Sequence, residues 1–125
     1  MRLLLDTHAL LWALSAPDRL AATSREAIED GQNEVFASTA SAWELSIKQA
    51  LGKLEFDGDL RAELAAAAFL VLPVGLEHAL AVRSLPLHHR DPFDRMLIAQ
   101  ATIEGLTIVT RDRQFEPYGS QILRA

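Results

Sequence analysis

The chain is expected to fold as an α/β domain around a central parallel sheet. Three observations predict this. Short apolar runs alternate with helical stretches along the whole sequence. The runs Leu3-Leu4-Leu5, Val35-Phe36-Ala37, Leu70-Val71-Leu72 and Thr107-Ile108-Val109 are nearly continuous apolar strands, as expected where helices cover both faces of a sheet. The length of 125 residues suits one domain, residues 1–125, able to bury roughly two thirds of its unfolded surface.

The elements follow in order. Leu3-Leu4-Leu5 forms the first strand and ends at Asp6. Residues 7–14 form a helix with Leu10, Leu11 and Leu14 on one side, broken by Ser15-Ala16-Pro17-Asp18. Residues 24–30 form a helix closed by Gly31, before the strand 35–37. Residues 41–51 are the clearest helix: Trp43, Ile47, Ala50 and Leu51 follow the spacing of an amphipathic helix, and Gly52 closes it. An Ala-rich helix over 59–69 leads to the strand 70–72, ended by Pro73. A short helix over 76–83 and the loop 85–90 precede a helix over 91–104, closed by Gly105. Thr107-Ile108-Val109 is the fourth strand, and residues 121–123 offer a fifth. There is no internal repeat, low-complexity segment or linker.

Composition excludes several chemistries. Without cysteine there is no disulfide, thiolate nucleophile or Cys-based metal site, and a reducing cytoplasm is compatible. Asp6 follows the first three apolar residues too soon for a signal peptide, and no apolar run is long enough to span a bilayer. A net charge of −5 disfavours broad adhesion to nucleic acid, yet leaves room for a nucleic-acid enzyme whose acidic site holds metal. There is no Gly-rich phosphate loop, no Gly-x-Ser-x-Gly elbow and no zinc-ligand spacing among the histidines.

Open parallel sheets place their sites beyond the carboxyl ends of their strands. The first strand runs into Asp6, and the fourth into Thr110-Arg111-Asp112. Four acids stand out: Asp6, Glu44, Asp94 and Asp112. Each also has an ordinary structural use. Asp6 can cap the following helix. Glu44 can pair with Lys48 at i+4. Asp112 can sit in a surface turn between two arginines. In Asp91-Pro92-Phe93-Asp94, Asp91 suits an N-cap and Pro92 the first helical position. Asp94 stands at the start of the stripe Leu97, Ile98 and Ala101, where a carboxylate needs a partner. Four carboxylates converging at one sheet edge would raise one another's pKa values unless a cation intervened. Mg²⁺ and Mn²⁺ suit such oxygen ligands.

These residues also carry a family resemblance covering essentially the whole chain. The segment Leu3-Leu4-Leu5-Asp6-Thr7-His8-Ala9-Leu10-Leu11-Trp12 resembles the opening motif of PIN-domain ribonucleases. Ser41-Ala42-Trp43-Glu44-Leu45 with Lys48 is similar to the second motif, and Asp91-Pro92-Phe93-Asp94-Arg95 with Leu97-Ile98-Ala99-Gln100-Ala101 to the third. Leu106-Thr107-Ile108-Val109-Thr110-Arg111-Asp112 is similar to the fourth. Within the family the resemblance is to the toxins of VapBC-type toxin–antitoxin modules.

The resemblance implies a three-layer α/β/α sandwich and Mg²⁺- or Mn²⁺-dependent endoribonuclease activity. It implies a cognate antitoxin as partner, with a homodimer or a hetero-oligomer as the assembly. Asp6, Glu44 and Asp94 match the principal acidic positions, Asp112 the fourth, and Thr110 the hydroxyl beside it. In that reading Asp6 and Asp94 hold the metal, Glu44 and Asp112 complete its shell, and a metal-activated water cleaves the RNA backbone. Lys48, Arg90, Arg95, Arg111 and Arg113 are candidates to guide RNA. Leu11, Trp12 and Leu14 are candidates for a partner's groove. His8 occupies a position where many relatives carry Asn, and no role follows for His88 or His89. The alternatives are a PIN-fold scaffold without activity and a receiver-like phospho-acceptor module. The latter needs an acidic pair after the first strand and an Asp after a middle strand. Here Thr7 follows Asp6, and the middle strands end at Ala37 and Leu72.

Overall fold

A computed structural model describes residues 1–54, 56 and 58–125. Five strands form one sheet: β1 (Arg2–Leu5), β2 (Glu34–Ser38), β3 (Leu70–Leu72), β4 (Thr107–Thr110) and β5 (Ile122–Arg124). Their spatial order is β3-β2-β1-β4-β5, and every pairing is parallel. This fulfils the expected parallel sheet. The order also differs from the 2-1-3-4-5 of receiver-type folds, which removes that alternative.

Six α-helices are described: α1 (Thr7–Ser15), α2 (Ala22–Glu29), α3 (Thr39–Ala50), α4 (Leu60–Ala66), α5 (Leu76–Ala81) and α6 (Pro92–Glu104). Side chains of a strand alternate between its faces, and β1 divides the core accordingly. Leu3 and Leu5 pack with Ala9, Leu10, Val35 and Leu64 on one face. Leu4 packs with Leu97, Ile98, Ile108 and Phe115 on the other. All three leucines are fully buried. The result is the three-layer α/β/α sandwich.

Three segments read as loop or helix end in sequence are short 3₁₀ helices: Pro17–Arg19, Val82–Ser84 and Arg113–Tyr118. Pro117 explains the last, since inside the helix proline removes a donor that an α-helix would need. The helix expected over 59–69 stops at Ala66, because Ala68 adopts a left-handed φ of 58° and turns the chain into β3. The second helix starts at Ala22, two residues early, and its cap is Asp30 rather than Gly31.

The largest departure concerns α3. Its apolar stripe faces outward: Trp43 is 64% exposed and Leu51 62%. The buried residues are Ala40, Ser41, Glu44 and Leu45. Small side chains at 40 and 41 let α3 pack closely between α1 and α6, so this helix is positioned by its polar and small face.

α6 ends at Gly105, whose φ of 68° is the left-handed conformation that closes a helix at low cost only in glycine. A Cβ there would meet no neighbouring atom. Gly105→Ala is therefore expected to lower stability by about 1 kcal/mol, from backbone strain alone. Chemical denaturation measures the loss, and cation binding at the site described next should not change.

Candidate active site

The sheet order creates a switch point. The chain leaves β1 towards β2 on one side, and β4 leads to β5 on the other. Open α/β sheets bind ligands beyond the carboxyl ends of the strands that flank such a point, here β1 and β4. Asp6 stands at the end of β1, and Thr110 to Asp112 at the end of β4.

Asp6 is 4% exposed, and both its oxygens are held. Oδ1 accepts from the Ala9 amide at 2.8 Å, which caps α1, and Oδ2 accepts from the Thr110 hydroxyl at 2.6 Å. Thr110 Oγ1 in turn accepts from the Asp112 amide at 3.0 Å, so one hydroxyl ties the two strand ends together. Asp112 caps the following 3₁₀ helix: its Oδ1 accepts from the Gln114 amide at 2.9 Å. Glu44, on the inward face of α3, is 7% exposed. Its Oε1 accepts from Thr7 Oγ1 at 2.6 Å and its Oε2 from Lys48 Nζ at 2.8 Å. Asp91 caps α6 as expected, accepting from the amides of Phe93 and Asp94. That cap leaves Asp94 on the first turn of α6, its side chain 19% exposed.

Electrostatics unite these acids. Burial, with the charges of Asp91, Asp6, Glu44 and Asp112, pushes the Asp94 carboxyl from its ordinary 3.8 up to about 8. Burial also raises Asp6, against the opposing pull of the Thr110 and Ala9 hydrogen bonds. Asp6, Glu44 and Asp112 thus all lie near enough to disfavour a charge on Asp94. Near neutral pH, a proton on Asp94 relieves this repulsion when no cation does.

His89 completes the arrangement, and sequence reasoning left it without a role. Its Nε2 lies 3.0 Å from both Asp94 Oδ2 and Asp112 Oδ2. Only the loop fold reveals this, because His89 belongs to no regular element whose spacing would point to it.

The basic residues divide. The Arg95 guanidinium donates to the carbonyls of Val82, Leu85, Pro86 and His89 and to Tyr118 Oη, so it ties down the loop before α6. Arg111 lies 4.4 Å over the Trp12 ring and donates to the Ala125 carbonyl. Lys48 serves Glu44. All three thus have structural partners within the fold. Arg90 and Arg113 remain exposed. Leu11, Trp12 and Leu14 are half-buried against the core, so the larger exposed apolar surface is the outer face of α3. His8 is exposed and stands beside Trp12.

Fold and site together define an α/β protein with a cluster of carboxyl groups at its topological switch point. The donor set is hard oxygen with one imidazole at its rim, which fits Mg²⁺ or Mn²⁺. Residues 3–120 match the family model described as PIN domain, and the chain belongs to that family. It is 28% identical over 118 residues to Ribonuclease VapC22 of Mycobacterium tuberculosis, covering 92% of this chain and 90% of that protein. Its fold is similar to that in the crystal structure of VapBC2 from Rickettsia felis bound to a DNA fragment from their promoter. There the TM-score is 0.72 at 16% identity, over 99% of this chain and 98% of the other. For the DNA-bound VapBC from Salmonella typhimurium the TM-score is 0.68 at 19% identity, over 98% and 97%.

Two predictions follow from the charges. Asp94 holds a proton in the metal-free fold that the unfolded chain releases near pH 4. Its contribution to stability is therefore fully present below that pH and is lost as pH rises towards 8. Thermal melts of metal-free protein should show Asp94→Asn more stable than wild type at pH 8, by on the order of a few kcal/mol, with the difference shrinking at pH 5. For Glu44→Gln, loss of the Lys48 pair costs a few tenths of a kcal/mol. One negative charge near Asp94 also disappears, so an NMR titration of the Asp94 carboxyl should place its midpoint below that of wild type.

Proposed function

We propose that this chain is a divalent-cation-dependent endoribonuclease, the toxin of a cytoplasmic toxin–antitoxin pair, restrained by a cognate antitoxin. The observation that carries this reading is the half-buried Asp94 carboxyl with Asp91, Asp6, Glu44 and Asp112 around it: burial first, and these charges after it, push its pKa up to about 8. Such a site stores repulsion that a cation relieves. The similarity to Ribonuclease VapC22 supports RNA as substrate, and the similarity to VapBC complexes supports the antitoxin.

Asp6 and Asp94 are the residues that would hold the cation, with Glu44 and Asp112 completing its surroundings. Bound Mg²⁺ or Mn²⁺ would supply Lewis-acid polarisation of a scissile phosphate and an acidified water. The chain's own residues prepare the ground. Thr110 and the Ala9 amide fix the Asp6 carboxylate, so it needs no rearrangement to receive a cation. Thr7 and Lys48 fix Glu44 in the same way. Arg90 and Arg113, exposed and next in sequence to Asp91 and Asp112, are the candidates to meet the RNA backbone. The exposed stripe of Trp43, Ile47 and Leu51 on α3 suits the protein partner or second copy that the reading requires.

The inactive-scaffold alternative makes a different prediction. The purified chain should cleave RNA with Mg²⁺ or Mn²⁺ and stop when EDTA is added. Asp6→Asn and Asp94→Asn should each lower cleavage by roughly 100-fold or more and weaken Mn²⁺ binding. Co-expression with the protein encoded next to it should yield a complex in which cleavage is suppressed. Cleavage that ignores EDTA and both substitutions would contradict the enzyme reading. An active chain that its neighbour neither binds nor suppresses would contradict the toxin reading alone.

A further inference from the structure

We infer that His89 is a positioning residue for the acidic site: its imidazole N–H holds Asp112 by a hydrogen bond while Nε2 lies against Asp94, so that the two side chains are preset for a cation. The inference rests on the proposed cation-dependent site and adds a residue to it.

Four contacts immobilise His89, which is 5% exposed. Its backbone amide donates to Tyr118 Oη at 2.8 Å, and its carbonyl accepts from Arg95 at 3.2 Å. The ring meets Phe115 edge to face, with centroids 5.6 Å apart. Its Nδ1 accepts from the Asp91 amide at 3.2 Å. The last contact decides the chemistry. A backbone amide can only donate, so Nδ1 carries the lone pair and the neutral ring carries its proton on Nε2. Nε2 then donates to Asp112 Oδ2 at 3.0 Å, with Asp94 Oδ2 at the same distance.

Several consequences follow. Asp112 is held at both oxygens, by His89 and by the Gln114 amide. Asp94 touches His89 through Oδ2 alone, and among the described residues no donor reaches its Oδ1. The imidazole therefore joins the loop before α6 to the end of β4 and leaves one Asp94 oxygen for the cation. Carboxylates that bind metal are commonly oriented by such outer hydrogen bonds. Direct ligation by Nε2 would be a different role. It would require the proton to move to Nδ1, where it would face the Asp91 N–H and break that hydrogen bond.

The test compares Mn²⁺ binding, by calorimetry and pulsed EPR, in wild type, His89→Phe and His89→Gln. Phenylalanine keeps the ring against Phe115 and loses the N–H, whereas the glutamine amide restores a donor at similar reach. His89→Phe should bind Mn²⁺ roughly 10–100-fold more weakly, and His89→Gln should recover most of that loss. RNA cleavage by His89→Phe should fall in kcat at saturating Mn²⁺, with KM for RNA nearly unchanged. Thermal melts confirm that the variants fold. Mn²⁺ bound to wild type should show no directly coordinated imidazole nitrogen in pulsed EPR, a result that needs no variant. A coordinated nitrogen, unchanged Mn²⁺ affinity in His89→Phe, or a glutamine variant as weak as phenylalanine would each overturn the inference. Asp94→Asn run alongside separates the two levels: if it leaves Mn²⁺ affinity unchanged, the cation site itself is wrong.

Discussion

Electrostatic repulsion among carboxylates at the ends of β1 and β4 is the constraint around which the carboxyl edge of this sheet is organised. Parallel pairing of β1 with β4 puts Asp6 and the Thr110–Asp112 turn side by side. The buried leucines of β1 pack on both faces, so this geometry cannot relax by shifting the strand. α3 and the start of α6 then bring Glu44 and Asp94 into the same field. An unfolded chain would let these charges separate. The fold buries Asp94 and holds the other charges near it, and the two effects together lift its carboxyl to about 8.

Much of the surrounding structure manages that repulsion. Asp6, Asp91 and Asp112 each cap a helix, so amide N–H groups neutralise part of their charge. Lys48 and Thr7 do the same for Glu44, and the His89 ring stands between Asp94 and Asp112. Structural and functional uses therefore coincide in single side chains. Capping orients the Asp6 carboxylate, and the Glu44–Lys48 pair fixes a group that would otherwise sample several rotamers. Local hydrogen bonds explain why the acids fold where they do. Their mutual proximity is what points to a cation.

The strand pattern and the acids were legible in the sequence because both leave local traces. Continuous apolar runs mark the strands, although β3 at the sheet edge leaves Leu70 and Val71 exposed rather than covered, and the acids sit just beyond strand ends or at a Pro-marked helix start. What was not legible depends on distant contacts. The stripe of α3 obeys helical spacing, but nothing local tells an apolar face that packs on the sheet from one that stays exposed; Trp43 and Leu51 are of the second kind. Arg95 and Arg111 look like surface cations until the carbonyls of the loop before α6 and the Trp12 ring are seen around them. His89 lies in a loop without periodicity. Its place between two acids follows from Tyr118, Phe115 and Arg95, all distant from it in sequence or outside its own segment.

On the proposed function, the acids at this edge of the sheet hold a divalent cation between Asp6 and Asp94. A crystal structure of the wild-type chain grown with Mn²⁺, with anomalous diffraction recorded at a wavelength sensitive to manganese, tests it most directly. The account predicts an anomalous peak in contact with carboxylate oxygens of Asp6 and Asp94. A fully formed acidic cluster without a peak at millimolar Mn²⁺, or manganese bound only elsewhere on the surface, would contradict it.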